Sequence, residues 1–340
     1  MPLHVALHLV LPGLLWPKDS LREAARDLKT PALATLFGRG RIARQPAMPL
    51  EHWLCRAFGI ASEEPPCGAL RLSGEGIDPG TDAWICADPV HLRFARGTLI
   101  VGSPGELALS QEEAAQLVAA LNEHLADLGE FIAPQPDRWA LRLKQAAQIA
   151  THPLSSVIGR PVEAFLPRGR DAQEWRRILN EAQVLLHNHP LNAAREEAGK
   201  PAANSLWPWG AGALPASAAA PAVPVFSSAP LARGLAQLAG VPCHAVPQGR
   251  IAESGFILLE ALAEAAQSLD LHAWRAGIAE LEQRWFQPLL AALKSGRLKQ
   301  LRLTALGDEG LVELDVEAGD LWKFWHRPKR LEALLLPESD

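Results

Sequence analysis

The stretch "VPVFSSAPLARGLAQLAGVPCHAV", residues 223–246, decides the fold class. Two short apolar runs, "VPVF" and "VPCHAV", flank a segment that opens on Ser227-Ser228-Ala229-Pro230 and closes on Gly240. Serine ahead of proline marks a helix start and glycine a helix stop. The order is therefore strand, helix, strand. Such a crossover needs a parallel neighbour, because a tight hairpin joins only antiparallel strands. A parallel sheet with covered faces, an α/β architecture, is the expectation.

Working outward, the run Leu3 to Leu11 is rich in Val and Leu and stops at Pro12-Gly13, which suits a buried central strand. "SLREAARDL" from Ser20 has a capping-box pattern, and "TPALATLFGRG" from Thr30 starts on Thr-Pro and stops on glycine. Downstream, helices are expected over roughly 254–267 and 270–293. The strands "LKQLRLTAL" and "GLVELDVE" then close the sheet or one of its edges.

A second block lies between. Residues 60–82 are rich in Gly, Pro and acid and read as loop, and "WICADPVHLRF" and "GTLIVG" read as strands. The helix "SQEEAAQLVAALNEHLADLG" is capped by Ser110, with Ala114, Leu117, Val118, Leu121 and Leu125 on one face. "EFIAPQPDRWALRL" reads as a strand pair or a bent strand. In "DAQEWRRILNEAQVLLHNH" the residues Trp175, Ile178, Leu179, Ala182, Leu185 and Leu186 share a face, and Pro190 breaks the helix. The Ala-Pro run "ALPASAAAPAVP" is expected to span a surface. The expected division is a core of residues 1–60 and 185–340 with an inserted α/β cap over 61–184.

The net charge of −5 argues against a nucleic-acid partner, which wants a basic face. Two basic runs, "GRGRIAR" at 38–44 and "RPKR" at 327–330, read as solvated surface. Cys55, Cys67, Cys86 and Cys243 lack the CxxC spacing of a zinc or redox site. The apolar opening lacks a basic leader and is too short to span a bilayer. A reduced, cytoplasmic protein with no membrane contact is expected.

Candidate functional side chains are few. His187 and His189 would point about 200° apart on a helix and cannot chelate one ion. Asp88 and His91, three apart on a strand, face opposite sides. Ser227 and Ser228 sit at a strand-to-helix turn, where a helix cap competes with anion binding, and lack the Gly-x-Ser-x-Gly context of a nucleophile. His152 and His244 read as structural. Near the end, "DLWKFWHRP" carries Trp322, Phe324 and Trp325, read as packed down or as a docking patch for a partner protein. The densest cluster is "HPLNAAREEAGKPAANSLWPWGAG", residues 189–212. Trp207 and Trp209 share a strand face, Pro208 asks for a strand edge, and Gly210 and Gly212 ask for a close neighbour. Inherited packing and a retained pocket wall both fit.

In order, these motifs resemble the alkaline-phosphatase superfamily, and most closely the archaeal-type cofactor-independent phosphoglycerate mutases. "TPALATLFGRG" is similar to a segment of that superfamily. His189, Pro190, Asn192, Arg195, Gly199, Lys200, Ala203, Asn204, Trp207, Trp209, Gly210 and Gly212 match an ordered run of the mutases. The pattern, with "ADPVHLR", resembles the bacterial branch of RpfE-type regulatory proteins. The resemblance implies an alkaline-phosphatase-like core with a mostly parallel sheet and a small inserted cap. It also implies a serine nucleophile and two divalent metals, whose matching positions here read Pro12-Gly13, Leu50-Glu51, the run after Gly249, and Thr304-Ala305-Leu306-Gly307. The nucleophile and the Asp and His ligands are missing together, so a catalytically degenerate protein with no metal or cofactor is expected. It would be regulatory or would sense an anionic phosphorylated metabolite through His189, Asn192, Arg195, Lys200, Asn204, Trp207, Trp209, Gly210 and Gly212. An active mutase or phosphatase with a rearranged site, and a ligand-free scaffold docking a protein partner, are the alternatives.

Overall fold

The computed structural model describes residues 7–95, 97–247, 254–323 and 325–334. Within it the chain forms two compact units. One comprises Met1–Gly59, Ala218–Ala232 and Ala236–Asp340; the other comprises Ile60–Ser217 with Arg233–Leu235.

The first unit begins with β1 (Leu7–Pro12), α1 (Lys18–Ala24), α2 (Pro31–Arg39), β2 (Arg41–Gln45) and α3 (Leu50–Ala57). The chain then builds the second unit from α4 (Cys67–Gly74), β3 (Trp84–Val90), β4 (Leu92–Ala95), β5 (Thr98–Val101), α5 (Pro104–Leu107) and α6 (Gln111–His124). Next come β6 (Gly129–Gln135), β7 (Arg138–Leu143), α7 (Ala172–His187), α8 (Pro190–Glu197) and β8 (Ser205–Gly212). It returns through β9 (Val225–Phe226), α9 (Pro230–Leu238), β10 (Cys243–His244) and β11 (Gly255–Leu258). The helices α10 (Ala263–Gln267), α11 (Leu271–Leu281) and α12 (Gln287–Lys294) and the strands β12 (Gln300–Gly307) and β13 (Gly310–Glu317) complete it.

The first unit is organised on a seven-stranded sheet in the order β10-β9-β11-β1-β12-β13-β2. The five strands from β10 to β12 are parallel, and β13 and β2 add antiparallel. The strand–helix–strand reading of 223–246 stands, with β9 and β10 paired in parallel. β1 is central and buried along its length, with Leu7, Leu9 and Leu11 packed against Leu301, Leu303 and Ala305. Each leucine taken fully from water contributes about 2 kcal/mol, so this layer anchors the unit.

The second unit carries a four-stranded antiparallel sheet, β6-β7-β3-β8, and a small β4–β5 pair. α6 has the expected capping box: Ser110 Oγ accepts the Glu113 N–H at 3.2 Å, and Glu113 Oε2 accepts the Ser110 N–H at 2.8 Å.

Several expectations are corrected. The boundary expected at 184/185 falls at 217/218, because β8 pairs with β3 along Ser205–Val90 to Gly212–Trp84. The helix expected over 254–267 starts as the strand β11, because the run Phe256 to Leu258 is buried on every side and shows no period. α4 stands where the sequence predicts a loop; all eight of its residues are buried, so it too lacks a solvent-facing side. β2 lies within a basic run read only as surface. Ser20 does not cap α1, whose N-cap is Pro17; its hydroxyl accepts the Trp16 indole N–H at 2.9 Å. Pro190, besides ending α7, opens α8 at the first helical position, where its missing N–H costs nothing. No helix among the described residues is long and apolar enough to cross a membrane.

Candidate functional site

The 189–212 run folds within the second unit, and Asn192, Arg195, Asn204, Trp207 and Trp209 each bond to other parts of the protein. His189 caps α8, its Nδ1 accepting the Leu191 N–H at 3.2 Å, while His187 is exposed at the end of α7. Asn192 is buried: its amide donates to Leu186 O at 2.7 Å and Ala203 O at 2.9 Å and accepts from Ala203 N at 3.0 Å. Asn204 does the work of a strand residue, pairing both amide atoms with the Leu92 backbone at 2.7 and 2.9 Å. Lys200 is exposed, beside the C-terminus of α8.

Arg195 was the expected anion grip, and it is 2% exposed. Its guanidinium donates to Glu113 Oε1 at 2.8 Å, to Pro201 O at 3.1 Å and to Leu107 O. Burial pushes the Glu113 carboxyl up, but the Ser110 N–H and Arg195 together outweigh it and hold the group below the usual range. The cation is thus neutralised internally.

The two indoles point into protein. Trp207 Nε1 donates to His152 O at 2.8 Å, and Trp209 Nε1 donates to Asp88 Oδ2 at 2.8 Å. Asp88 is also held by a two-pronged ion pair to Arg71, 2.8 Å on each arm, and by Trp139 N–H at 3.0 Å. Burial alone would lower the Arg71 pKa; the charges of Asp88 and Cys86 outweigh it and raise it. The glycines admit a neighbouring element, not a ligand. A Cβ on Gly210, at φ +67°, would lie 2.6 Å from Cys67 Cβ, and one on Gly212 would lie 2.8 Å from Pro66 Cβ. Both approach the start of α4. Pro208 lies opposite Ala87 on the edge strand β8, as proline requires.

Two hollows flank α7, one of about 330 Å³ lined by Lys144, Trp175 and Glu181, the other of about 870 Å³ lined by Leu125, Val184 and Leu185. Of the nine expected ligand residues, only His189 borders either. Most of these residues are packed against other parts of the protein.

The other candidates sort similarly. His91 Nδ1 lies 2.8 Å from Ala202 O, while Asp88 is taken by Arg71 and Trp209. Ser227 is buried and accepts the Ala229 N–H at 3.0 Å, a local cap. The His152 ring packs edge-on against Phe165 at 5.2 Å; burial, then Arg168, lowers its pKa. His244 is exposed beside Phe226. No disulfide joins the four cysteines.

At the positions implied for metals and nucleophile, β1 ends on Pro12, and the Gly13 N–H donates to Leu306 O at 3.0 Å. Two positions expected to carry carboxylates therefore meet through backbone and apolar side chains. Glu51 opens α3. Sequence reading missed Glu260, just after β11, whose carboxyl is raised by burial and then by the charge of Glu51. The signal was hidden by reading that stretch as helix. The run after Gly249 lies outside the described residues up to Ser254. Among the described residues, no group of three or more His, Cys, Asp or Glu side chains is placed to hold a metal ion. A divalent ion takes four or more ligands, so these residues do not fit a two-metal centre. Also unforeseen was buried His8, whose Nε2 lies 2.8 Å from the Thr304 hydroxyl.

A family model described as 2,3-bisphosphoglycerate-independent phosphoglycerate mutase matches residues 90–192. The mutase of that name from Methanosarcina mazei is 32% identical over 215 residues, 57% of this chain and 51% of the relative. The mutase 2 of Methanothermobacter thermautotrophicus is 28% identical over 181 residues, 44% of this chain and 45% of that one. A probable mutase of Geobacter sulfurreducens is 27% identical over 180 residues, covering 51% and 45%. The matches span about half the length of these curated relatives. A solved protein from Pyrococcus horikoshii superposes with a TM-score of 0.54 at 16% identity, covering 98% of this chain and 92% of that one, and shows the same fold. The cofactor-independent phosphoglycerate mutase of Thermoplasma acidophilum gives 0.49 at 17%, covering 97% and 95%. The shared fold agrees with an α/β architecture of largely parallel central sheet.

Proposed function

We propose that the chain is a phosphoglycerate-mutase-like protein that has lost phosphoryl transfer and works by binding, in a regulatory role of the RpfE type. The observation that carries this reading is the emptying of the ligand positions. Proline, leucine and glycine stand where the resemblance implies Asp and His, and no alternative cluster of three ligating side chains occurs among the described residues. A phosphoryl group in flight spreads negative charge that a pair of cations would neutralise. Two carboxylates, Glu51 and Glu260, are too few to hold such a pair. A cytoplasmic setting goes with this reading.

The metabolite-sensing form of the proposal draws little support from the residues expected to serve it, since Arg195, Asn192, Asn204 and both indoles are committed to internal partners. Binding of another protein is the form that fits better. The names of the curated relatives favour a second reading, an active mutase or phosphatase with a rearranged site.

Metal analysis of the purified chain, with a coupled assay of phosphoglycerate isomerisation in manganese, separates the two. The proposal expects substoichiometric metal and no rate above background. Stoichiometric metal with turnover abolished by a chelator would establish the second reading instead.

A further inference from the structure

The two basic runs, nearly three hundred residues apart in sequence, are neighbours in the first unit. A Cβ on Gly38 would overlap the Arg327 carbonyl oxygen and lie 2.8 Å from Pro328 Cα. The Arg39 guanidinium donates to Leu321 O, and the Lys329 N–H donates to Ala34 O at 2.9 Å. Residues 38–44 carry three arginines and residues 321–330 four cations, with no acid in either. Those seven leave 26 cations against 38 acids for the rest of the chain, so this surface opposes the overall charge.

Apolar surface accompanies the charge. Nine of the eleven tryptophans are buried, and the two exposed ones, Trp322 at 79% and Trp325 at 65%, both lie in this segment. Both were candidates for packing down; neither does. Phe324 lies outside the described residues. Among the described residues Arg327 and Arg330 have no acidic partner, although both are exposed. From Arg39 the chain runs into β2, the last strand of the seven-stranded sheet, paired among the described residues only with β13. Its outer edge carries main-chain donors and acceptors that a further strand would match, and Arg41 and Arg44 stand along it.

We propose that this surface docks an acidic, extended polypeptide segment, which adds to the β2 edge and seats an apolar side chain between Trp322 and Trp325. Edge arginines discourage pairing with neutral or basic strands and favour an acidic one. Tryptophan and arginine are enriched in binding hot spots, and both stand exposed in this one segment. A polypeptide is favoured over a nucleic acid for two reasons. Only a polypeptide uses the strand edge, and Glu317 and Asp320, paired with Arg41 and Lys323, interrupt the cationic track that a phosphate backbone would follow. The inference goes beyond the loss of phosphoryl transfer and does not depend on it, since an active mutase could carry the same surface.

The test is selection from a random peptide library on the full chain. Selected peptides are then assayed by fluorescence anisotropy and by amide hydrogen exchange. Acid-rich peptides with alternating apolar residues are expected. Their affinity should fall at least about tenfold in a Trp322→Ser/Trp325→Ser variant and in an Arg327→Glu/Arg330→Glu variant. Both changes are on exposed side chains, and unchanged circular dichroism would confirm that they leave the fold intact. Binding should also slow exchange at Arg41–Gln45. Selection of no peptide, or of peptides that ignore both variants or leave β2 exchange unchanged, would overturn the proposal. Tighter binding to oligothymidylate, or to phosphatidylcholine vesicles containing phosphatidylserine, would overturn it as well.

Discussion

The Trp209 indole donates to Asp88 at 2.8 Å, and the same carboxylate takes both arms of Arg71. Arg71 also lies over the Trp209 ring, 5.4 Å from its centroid. One buried acid therefore joins α4, β3 and β8. Two stretches that carry the family resemblances, "ADPVHLR" and the Trp-Pro-Trp run, are two sides of one structural knot.

Breaking that knot from one side should be severe. Asp88→Asn leaves the buried Arg71 cation without its counter-charge, and such a loss destabilises by roughly 3–5 kcal/mol. Trp209→Phe keeps an aromatic ring but forfeits one hydrogen bond to a charged group, about 1.5–3 kcal/mol, and adds the cost of the volume lost with the smaller ring. Removing both charges while keeping an acceptor for the Trp139 and Trp209 N–H groups, as Arg71→Met with Asp88→Asn, should cost less than Asp88→Asn alone. Urea unfolding of the three variants checks the order; a double variant less stable than the single would refute it.

Gly210 and Gly199 both have positive φ, +67° and +71°, but only Gly210 faces a neighbour. Alanine at Gly199 should cost the left-handed backbone penalty, about 1–2 kcal/mol. At Gly210 the methyl must also displace Cys67, adding roughly 1–3 kcal/mol. Thermal midpoints measure the difference. Equal losses would mean that the β8–α4 approach is looser than described.

Where sequence reading succeeded, a local signal existed. The Ser110 box, the Ser-Pro start with its Gly240 stop, and Pro208 at an edge each state a backbone requirement that only certain residues meet. β11 and α4 failed for a shared reason. A segment buried on all sides has no polar face, so its period disappears and only its partners decide strand or helix. The candidate site failed differently. Gly210 and Gly212 correctly announced a close neighbour, but a glycine does not say whether the neighbour is a ligand or a helix. The same holds for Arg195, whose charge was legible and whose partner Glu113, 82 positions away, was not. The pairing of the two basic runs is a tertiary fact of the same kind.

His8 supplies a pH dependence of known sign. Burial, then the charge of Arg302, lowers its pKa from 6.5 to about 3, with Asp315 opposing. The Trp53 and Phe256 rings close around it edge-on at 5.7 and 5.3 Å. Between those two pKa values the unfolded chain holds a proton that the folded chain refuses, so stability rises with pH. The contribution is complete above about pH 6.5 and is lost as acid is added, by up to ~1.4 kcal/mol per pH unit. Urea midpoints from pH 7 to pH 4 should fall less steeply for a His8→Leu/Thr304→Val variant than for the parent. Parallel slopes would place the acid sensitivity elsewhere.

Arg195 decides between a gripping and a bracing role. Its side chain is 1% exposed, its partner Glu113 also closes the α6 capping box, and two backbone carbonyls complete its shell. If it braces, Arg195→Met strands Glu113 and the Leu107 and Pro201 carbonyls, and stability should drop by roughly 3–5 kcal/mol. Arg195→Lys restores one charge and at most part of the fork, so it should recover only a fraction of that loss. If it grips a phosphorylated ligand instead, both variants would unfold at the parent's urea midpoint. The parent alone would then be stabilised by millimolar phosphoglycerate. Burial and full internal pairing predict the first pattern. A parent whose midpoint rises with phosphoglycerate, beside an equally stable Arg195→Met that ignores it, would return this residue to a binding site.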